Sequence, residues 1–494
     1  MGHYKSFIFW YCIISQREIM SNLRAKDWIT KGFVLFKSGK FQEAIECFDQ
    51  AIRLDPKNAE AWWLKGKSFQ ELNRLQEAIE CFNEALKIRP DYSEALIQKG
   101  ICLDILGMHQ EAIACFENVL KMNPKDPFAW NNKGMVLLNS GKFEEAIKCF
   151  DKALKICPDI PMPWHNKGVA LLKLGKPEKA LEFFEKALRI DPESVESMVG
   201  RGSALADLGR YKEAIECFDR ALKINPMTKR AWNNKGLVLE KMGRYDEALL
   251  CYENALKIDP EYEEASKNKK ILLENLYSLI AQYDKILEEN PRDVCAWKNK
   301  GKLLTVLGNI NESINCFDKA LEIDPENAEI WYLKGAAMEK IGRLQEALYC
   351  YTRATEMDPS YTDAWLMQGI VLDSLGRHHE ALICFDKILE IDPKNECAWN
   401  SKGVVLLGLG KLEEALGCFD RALKINNELP EAWINKGIAF YRLGKLKEAL
   451  KALRKVLELA SLDEKGSRLM EHAYKLIKEI ENQLGQKKSF WKIK

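Results

Sequence analysis

A glycine recurs every 34 residues along most of this 494-residue chain, and this spacing constrains the fold more than any other feature. A single longer interval, from Gly236 to Gly301, interrupts the series. The glycines are Gly32, Gly66, Gly100, Gly134, Gly168, Gly202, Gly236, Gly301, Gly335, Gly369, Gly403 and Gly437. Periods of about 20–50 residues are typical of proteins that stack one supersecondary unit many times. The sequence therefore predicts a repeat array rather than several unrelated globular domains.

Placing this glycine at position 8 of each repeat divides the whole chain. Seven repeats of 34 residues occupy 25–262, a shorter segment of 31 residues occupies 263–293, and five further repeats occupy 294–463. The short segment lacks the tryptophan of position 4 and both periodic glycines, so we expect its first helix either to extend or to turn abruptly. Residues 464–494 are expected to form a capping helix, from about Glu464 to Leu484, and a basic tail.

Residues 1–24 precede the array and contain an apolar run of eight residues, 7–14. A membrane span needs about 20 apolar residues, so no span is predicted here. We expect this extension to be disordered or to lie upstream of a true start at Met20. Weak membrane contact and a targeting signal are the alternatives.

Each repeat carries the pattern of two amphipathic helices. In the repeat 229–262, positions 4, 8 and 11 and then positions 20, 24 and 27 hold apolar or small residues at helical i, i+4, i+7 spacing. These residues are Trp232, Gly236, Leu239, Ala248, Tyr252 and Ala255. Gly243 at position 15 predicts a left-handed residue at the end of the first helix, and Pro260 predicts the end of the second.

The repeat resembles the tetratricopeptide repeat family. In one repeat, the residues that match the family pattern are Trp62, Gly66, Phe69, Ala78, Phe82, Ala85 and Pro90. The resemblance covers twelve repeats and implies an all-α fold, an α-solenoid in which stacked antiparallel helix pairs form a right-handed superhelix. It also implies a function in protein–protein interaction. Position 7 departs from the family's usual leucine, because it is Lys or Arg in 11 of the 12 full repeats.

The basic residues of position 7 are expected to pair with acidic residues of the same chain. Position 19 is glutamate in 11 of the 12 full repeats, as in Glu43 and Glu77, so two opposite charge series share one period. We expect these two series to neutralise each other, although a basic stripe for an acidic ligand is the alternative. The chain as a whole has a net charge of +1, which argues against capture of nucleic acid.

Cysteine recurs at position 23, which accounts for 10 of the 15 cysteines. These residues are Cys47, Cys81, Cys115, Cys149, Cys217, Cys251, Cys316, Cys350, Cys384 and Cys418. We expect small, buried, unbridged side chains, because packed helices hold such neighbours too far apart for disulfides. Free thiols in this number favour a cytoplasmic protein. A redox or metal function is the alternative, but no metal site and no cofactor are predicted.

The sequence contains none of the motifs that would indicate a catalytic centre. It has no phosphate-binding glycine loop and no nucleophile elbow, and His109, His378 and His379 fall at turns where we expect them to be solvated. The predicted function is a non-catalytic scaffold that binds segments of partner proteins in the concave groove of the superhelix. The alternative is an accessory subunit of an enzyme complex such as a glycosyltransferase.

The resemblance places positions 5 and 6 of each first helix at or near the concave surface. Most of the polar residues there are asparagines, whose amides can both donate to and accept from the backbone of an extended peptide. The predicted site residues are Asn131, Asn132, His165, Asn166, Asn233, Asn234, Asn299, Asn400 and Asn435. The series is interrupted at Gly200, Leu333, Met367 and Ser401. The alternative is that these asparagines are simply exposed polar residues.

Overall fold

A computed structural model of the chain describes residues 24–459 and 464–490. All regular secondary structure in these two ranges is α-helical, which confirms the predicted all-α fold. In the first half the helices are α1 (Ala25–Lys37), α2 (Phe41–Leu54), α3 (Ala59–Glu71), α4 (Leu75–Ile88), α5 (Ser93–Ile105), α6 (His109–Met122), α7 (Pro127–Asn139), α8 (Phe143–Ile156), α9 (Pro161–Lys173), α10 (Pro177–Ile190), α11 (Val195–Asp207) and α12 (Tyr211–Ile224). They continue as α13 (Lys229–Lys241), α14 (Tyr245–Ile258), α15 (Glu263–Glu289), α16 (Val294–Val306), α17 (Ile310–Ile323), α18 (Ala328–Lys340), α19 (Leu344–Met357), α20 (Thr362–Ser374), α21 (His378–Ile391), α22 (Glu396–Gly408), α23 (Leu412–Ile425), α24 (Pro430–Arg442), α25 (Leu446–Leu459) and α26 (Glu464–Phe490). The expectations for residues 1–24 lie outside the described residues, apart from Arg24.

Each full repeat is a helix pair closed by a tight turn, as α3 and α4 illustrate. The side chain of Asn58 accepts a hydrogen bond from the backbone N–H of Ala61 and so caps the start of α3. The turn after α3 requires a left-handed residue, and Asn73 adopts a φ of 58° there. Asparagine tolerates this conformation better than most residues, which explains why it replaces the glycine of the other repeats.

The glycine at position 8 allows the two helices of a repeat to approach closely. A methyl group added at Gly66 would lie 2.6 Å from a ring carbon of Phe82, which is closer than carbon atoms can pack. The aromatic ring at position 24 fills this space and is completely buried. The periodic glycine and the periodic aromatic residue are therefore two halves of one contact.

A hydrogen bond explains why tryptophan and proline recur together. The indole Nε1 of Trp130 donates to the backbone carbonyl of Pro124, over 3.0 Å. The same bond joins Trp164 to Pro158 (2.7 Å), Trp232 to Pro226 (3.0 Å), Trp297 to Pro291 (2.9 Å), Trp365 to Pro359 (3.0 Å) and Trp399 to Pro393 (3.1 Å). Since the proline ends one repeat and the tryptophan begins the next, this bond fixes each of these repeats to its predecessor.

The described residues divide into two compact units between Ala214 and Ile215, within α12. In the first unit, the first helices of neighbouring repeats approach one another along the series α1, α3, α5, α7, α9 and α11, whereas the second helices of neighbouring repeats lie farther apart. In the second unit the same approach joins α13 to α15, α16 to α18, α20 to α22 and α22 to α24. Within each unit the first helices therefore form the concave side.

The short segment forms one uninterrupted helix. Helix α15 runs for 27 residues, so of the two expected outcomes its first helix extends. It nevertheless contacts both of its neighbours, α14 and α16, and buries Leu272, Leu276 and Leu287. The segment lacks the turn, but it keeps the stacking surface of a repeat.

The final helix packs on the last repeat, with Ala473 and Ile480 completely buried beside Leu453 and Val456. Helix α26 contacts α25 more extensively than it contacts α24, which agrees with the expected docking on a second helix. It continues to Phe490 and is therefore longer than the sequence predicted.

Candidate partner-binding site

The most regular feature of the concave side is a hydrogen bond between asparagines of neighbouring repeats. Nδ2 of Asn166 at position 6 donates to Oδ1 of Asn131 at position 5 of the preceding repeat, over 2.9 Å. The equivalent pairs are Asn268 with Asn233 (2.9 Å) and Asn435 with Asn400 (3.1 Å). The close approach of consecutive first helices brings residues 35 apart together, so these amides join repeats to each other.

These pairs change the interpretation of the predicted asparagines. Five of the nine predicted residues belong to them, and Asn131, Asn166 and Asn233 are buried. The alternative that the asparagines are simply exposed polar residues is therefore wrong for these three. Asn268 was missed because its segment lacks the marker residues of a repeat, although asparagine at position 6 is retained.

The remaining predicted residues have individual surroundings. Asn234 accepts a hydrogen bond from Nδ2 of Asn233, over 3.2 Å, and Asn299 is half-buried on α16. Asn132 is half-buried on α7. Nδ1 of His165 lies 3.3 Å from the hydroxyl oxygen of Ser197 in the next repeat. The predicted residues thus form separate local groups rather than one continuous track.

The interruption of the asparagine series at Gly200 has a packing reason. A β-carbon at this position would clash with the ring of Phe184. The same ring lies 5.5 Å, centre to centre, from the ring of His165. Glycine at position 6 therefore makes room for the aromatic side chain of the preceding repeat.

Four of the predicted residues, Asn131, Asn132, His165 and Asn166, line a pocket of about 590 Å³ in the first unit. The pocket extends across α5, α7 and α9 to the start of α11, and thus across four consecutive repeats. Its apolar lining is Ile101, Ile105, Phe116, Met135, Val136, Pro161 and Met162. Its polar lining is Asn131, Asn132, His165, Asn166, Ser194, Ser197, Asp104, Asp191 and Glu196. Pockets of about 300–1,000 Å³ with this mixed lining are typical binding sites.

The amide of Asn131 provides a hydrogen-bond donor without an acceptor in this pocket. The residue is 2% exposed, and its Nδ2 has no partner among the described residues. In the second unit, the matching Nδ2 of Asn233 is paired, because it donates to Oδ1 of Asn234. A buried unpaired donor costs roughly 1–3 kcal/mol, and a ligand oxygen would remove this cost.

The charges around the pocket are acidic. Asp104, Asp191 and Glu196 line it, and neither lysine nor arginine is among its lining residues. Asp104 is already engaged, because its carboxylate lies 2.8 Å from Nδ1 of His109 and accepts a hydrogen bond from Asn139, also over 2.8 Å. Asp191 and Glu196, the rim residues, are exposed, and Oδ1 of Asp191 accepts a hydrogen bond from the backbone N–H of Glu193.

The expectation of simple solvation is wrong for two histidines. His109 contacts Asp104, and His378 contacts Asp373 at 2.7 Å between Nδ1 and Oδ1. Each pair joins the last part of a first helix to the first residue of the second helix. The five-residue separation allows this contact because the turn folds the chain back on itself.

The basic residues of position 7 pair within the chain, but not with the glutamates of position 19. Nζ of Lys133 lies 2.7 Å from the carboxylate of Glu117, at position 25 of the preceding repeat. Pairs of the same kind are Lys65–Asp49, Lys167–Asp151, Arg201–Glu185, Lys235–Asp219, Lys269–Glu253, Lys300–Asp284, Lys334–Asp318, Lys402–Asp386 and Lys436–Asp420. The predicted partner was wrong because a first helix leans on the middle of the preceding second helix, not on its start.

Most of the glutamates of position 19 instead pair with a basic residue at position 16. Arg210 and Glu213 contact each other at 2.6 Å, one turn apart at the start of α12. The hydrogen bond from Arg210 holds the pKa of the Glu213 carboxyl below its ordinary value. The two charge series of the sequence therefore belong to two separate sets of ion pairs.

Two interfaces depart from the Lys–acid pattern. In one, Gln368 replaces the lysine and Thr352 replaces the acidic residue of position 25. Nε2 of Gln368 donates to the hydroxyl of Thr352, over 3.0 Å, so a hydrogen bond takes the place of the ion pair. In the other, Lys99 faces a repeat whose position 25 is Asn83, and no ion pair of Lys99 occurs among the described residues.

All ten cysteines of position 23 are buried and unbridged, as predicted. Burial raises the pKa of the Cys81, Cys251 and Cys384 thiols to about 12, so they stay protonated at neutral pH. Among the described cysteines, Cys295 and Cys397 are exposed. No group of three or more potential metal ligands occurs in residues 24–459 and 464–490.

A larger opening, of about 830 Å³, is a weaker candidate. It is lined by Trp62, Lys65, Phe69, Glu77, Glu80, Cys81, Asn83, Glu84, Leu86, Lys87 and Lys99. Four of its charged groups are already paired, Lys65 with Asp49, Glu77 with Arg74, and Lys87 with Glu84. No buried unpaired donor among its described lining residues points to a ligand, so we favour the pocket at Asn131.

Models of the tetratricopeptide repeat match most of the sequence. They match residues 30–93, 93–126, 127–160, 162–194, 230–262, 339–396 and 395–461. A model described as TPR repeat also matches 202–243 and 301–342. No curated protein is significantly similar to the chain. No helix in the described ranges is both long and apolar enough to cross a membrane.

Solved structures of the same kind cover parts of the chain. A tetratricopeptide repeat protein from Parabacteroides merdae is 17% identical, covers 50% of this chain and 98% of its own, and has a TM-score of 0.46. TTC0263, a thermophilic TPR protein of Thermus thermophilus, is 25% identical over 37% of this chain and 98% of its own, with a TM-score of 0.34. YrrB, described as a TPR protein with an unusual peptide-binding site, is 23% identical over 39% of this chain and 99% of its own, with a TM-score of 0.30.

Proposed function

Since the chain belongs to the tetratricopeptide repeat family, we propose that it is a non-catalytic scaffold that binds segments of partner proteins on the concave side of its first helices. Stacked helix pairs present an extended inner surface that suits this role. The proposed partners are proteins or peptide segments, and the proposed compartment is the cytoplasm. No cofactor is part of the proposal.

The unpaired Nδ2 of Asn131 is the observation that carries this proposal. Its own Oδ1 is occupied by Asn166, so the amide is fixed in position before a ligand arrives. The N–H groups that remain can donate to a backbone carbonyl of an extended segment. A donor that is held in place loses little entropy on binding, which favours affinity.

The use of the other charged and polar groups also favours a scaffold over an enzyme. Most lysines of position 7 and most glutamates of position 19 are committed to ion pairs within and between repeats. The position 23 thiols are buried, and their raised pKa makes them poor nucleophiles. These groups support the fold, whereas the concave side retains groups available to a partner.

Site-specific photo-crosslinking in the native cell tests the proposal. A photoreactive amino acid replaces Met162, which lines the pocket and is 52% exposed. The matched control replaces Met227, which is 64% exposed and lies in the turn between α12 and α13. We expect a discrete set of crosslinked proteins at position 162 that is absent at position 227.

The opposite pattern would contradict the proposal. If position 162 gave no protein adducts, or gave the same adducts as position 227, the concave side would not be the binding surface. Mass spectrometry of the adducts would identify both the partner and the crosslinked segment.

A further inference from the structure

We infer that the pocket at Asn131 selects a protein segment in which an apolar side chain lies next to a lysine or arginine. This inference rests on the proposed function and adds the chemistry of the segment that is bound.

The apolar lining defines the first feature of the segment. Ile105 is 61% exposed and Met162 is 52% exposed, although both side chains are large and apolar. Met135 and Ile101 continue this lining between them. An apolar side chain of the partner would remove this surface from water, which is the main source of favourable free energy in such contacts.

The free donor fixes the backbone of the segment. Asn131 lies at the pocket wall, beside the apolar lining, with its Nδ2 unpaired among the described residues. A backbone carbonyl oxygen is an acceptor that every extended segment carries, so this contact contributes affinity without restricting sequence. The donor therefore favours a polypeptide whose apolar side chain enters the pocket.

The rim charges define the second feature of the segment. Glu196 is exposed in the first turn of α11, and Asp191 is exposed in the loop before it. No ion pair of Glu196 occurs among the described residues, and neither lysine nor arginine lines the pocket; His165 is its one basic lining residue. Acidic rims attract cations and repel acidic segments, so a lysine or arginine next to the apolar residue complements this site.

The extent of the pocket favours a chain over a compact small molecule. Its lining residues come from four consecutive repeats, between Ile101 and Ser197. A cleft spread over four neighbouring helices matches an extended polypeptide, which can contact each repeat in turn.

The test is a selection of random 12-residue peptides displayed on phage, carried out with the full chain. Selected peptides are then synthesised with blocked termini, and their dissociation constants are measured by fluorescence anisotropy. We expect enrichment of an apolar residue within two positions of lysine or arginine. A peptide that occupies the pocket should reduce the protein adducts formed by the photoreactive residue at position 162.

Two variants and one matched control make the test specific. Glu196→Lys should raise the dissociation constant of selected peptides at least tenfold, because it reverses a rim charge. Asn131→Asp removes the donor but keeps an oxygen that accepts from Asn166, and it should raise the dissociation constant about fivefold. Glu60→Lys makes the same charge reversal at the same repeat position of α3, outside the pocket, and should change it less than twofold.

The outcomes separate this inference from the proposed function. Two results would overturn the inference and leave the proposed scaffold function intact. In the first, the selected peptides block crosslinking at position 162 but are not enriched in lysine or arginine. In the second, they bind the Glu196→Lys and Glu60→Lys variants with equal affinity. If no peptide were selected and position 162 gave no protein adducts, both would fail. Thermal melting of each variant distinguishes a lost contact from a lost fold.

Discussion

The side chain of Asn166 donates a hydrogen bond to Oδ1 of Asn131, over 2.9 Å, and joins the first helices of two neighbouring repeats. The bond uses the acceptor of Asn131 and leaves its Nδ2 without a partner among the described residues. One residue thus takes part in repeat stacking and provides the donor of the proposed site. Substitutions at this pair should therefore separate stability from binding.

Asn166→Ala should destabilise the first unit, because it leaves the buried oxygen of Asn131 without a partner. The expected loss is roughly 1–3 kcal/mol in the free energy of unfolding, measured by urea titration. Asn299→Ala is the control, because no hydrogen bond of the Asn299 side chain occurs among the described residues, and it should stay within about 0.5 kcal/mol of the wild type. Equal losses in the two variants would show that the asparagine pair contributes nothing.

Lys133→Glu should lower stability, because it places two carboxylates together at the interface with Glu117. The expected loss is up to about 1 kcal/mol, and adding Glu117→Lys should restore most of it. Lys99→Glu is the control, since the equivalent residue opposite is Asn83, and its loss should be smaller. The measurement is a double-mutant cycle by thermal unfolding, and a zero coupling energy would contradict the ion pair.

The sequence predicted the repeat, its helix pairs and the burial of the cysteines, because each of these follows from spacing within 34 residues. It did not predict that Lys133 pairs with Glu117. Every residue type of a periodic sequence recurs on the same period, so the period itself does not tell which two series face each other across an interface. That choice depends on how far one helix pair is rotated against the next.

The sequence also does not predict which asparagine of the site keeps an unpaired donor. Asn131 and Asn233 occupy the same repeat position and are followed by the same residue, yet Nδ2 of Asn233 donates to its neighbour and that of Asn131 is unpaired. The difference depends on side-chain orientation, which the local sequence does not encode. Asn268 could have been found by aligning position 6 through the short segment.

Stability should fall as the pH rises above about 9. The folded state holds the pKa of Cys81, Cys251 and Cys384 at about 12, above the ordinary value of 9.0, so it binds these protons more tightly than the unfolded state does. Their contribution is complete below pH 9 and is lost between pH 9 and 12, by roughly 1 kcal/mol per thiol at pH 10.

Urea titrations at pH 8 and pH 10 measure this effect. A variant with Cys81→Ala, Cys251→Ala and Cys384→Ala is the control, because it lacks these three titrating groups. Its stability should fall less between the two pH values than that of the wild type. An identical fall would mean that other groups cause the pH dependence.

Deletion of residues 464–494 should produce a protein that aggregates. Helix α26 covers Leu453 and Val456 with Ala473 and Ile480, and its loss exposes this apolar surface at roughly 25 cal/mol per Å². Deletion of residues 485–494 is the control, because it retains Ala473 and Ile480 and should remain soluble. Light scattering at equal concentrations compares the two, and equal solubility would contradict a capping role.

The most direct test of the proposed scaffold is the affinity of the partner segment identified at position 162. Ile105→Ala combined with Met162→Ala removes exposed apolar lining of the pocket, so it should leave the fold unchanged while raising the dissociation constant at least tenfold. Met227→Ala, on an exposed turn, should change it less than twofold. Calorimetric titration of the segment into the three proteins gives the comparison. Binding that is equally tight in all three would contradict a partner-binding site on the concave side of the first helices.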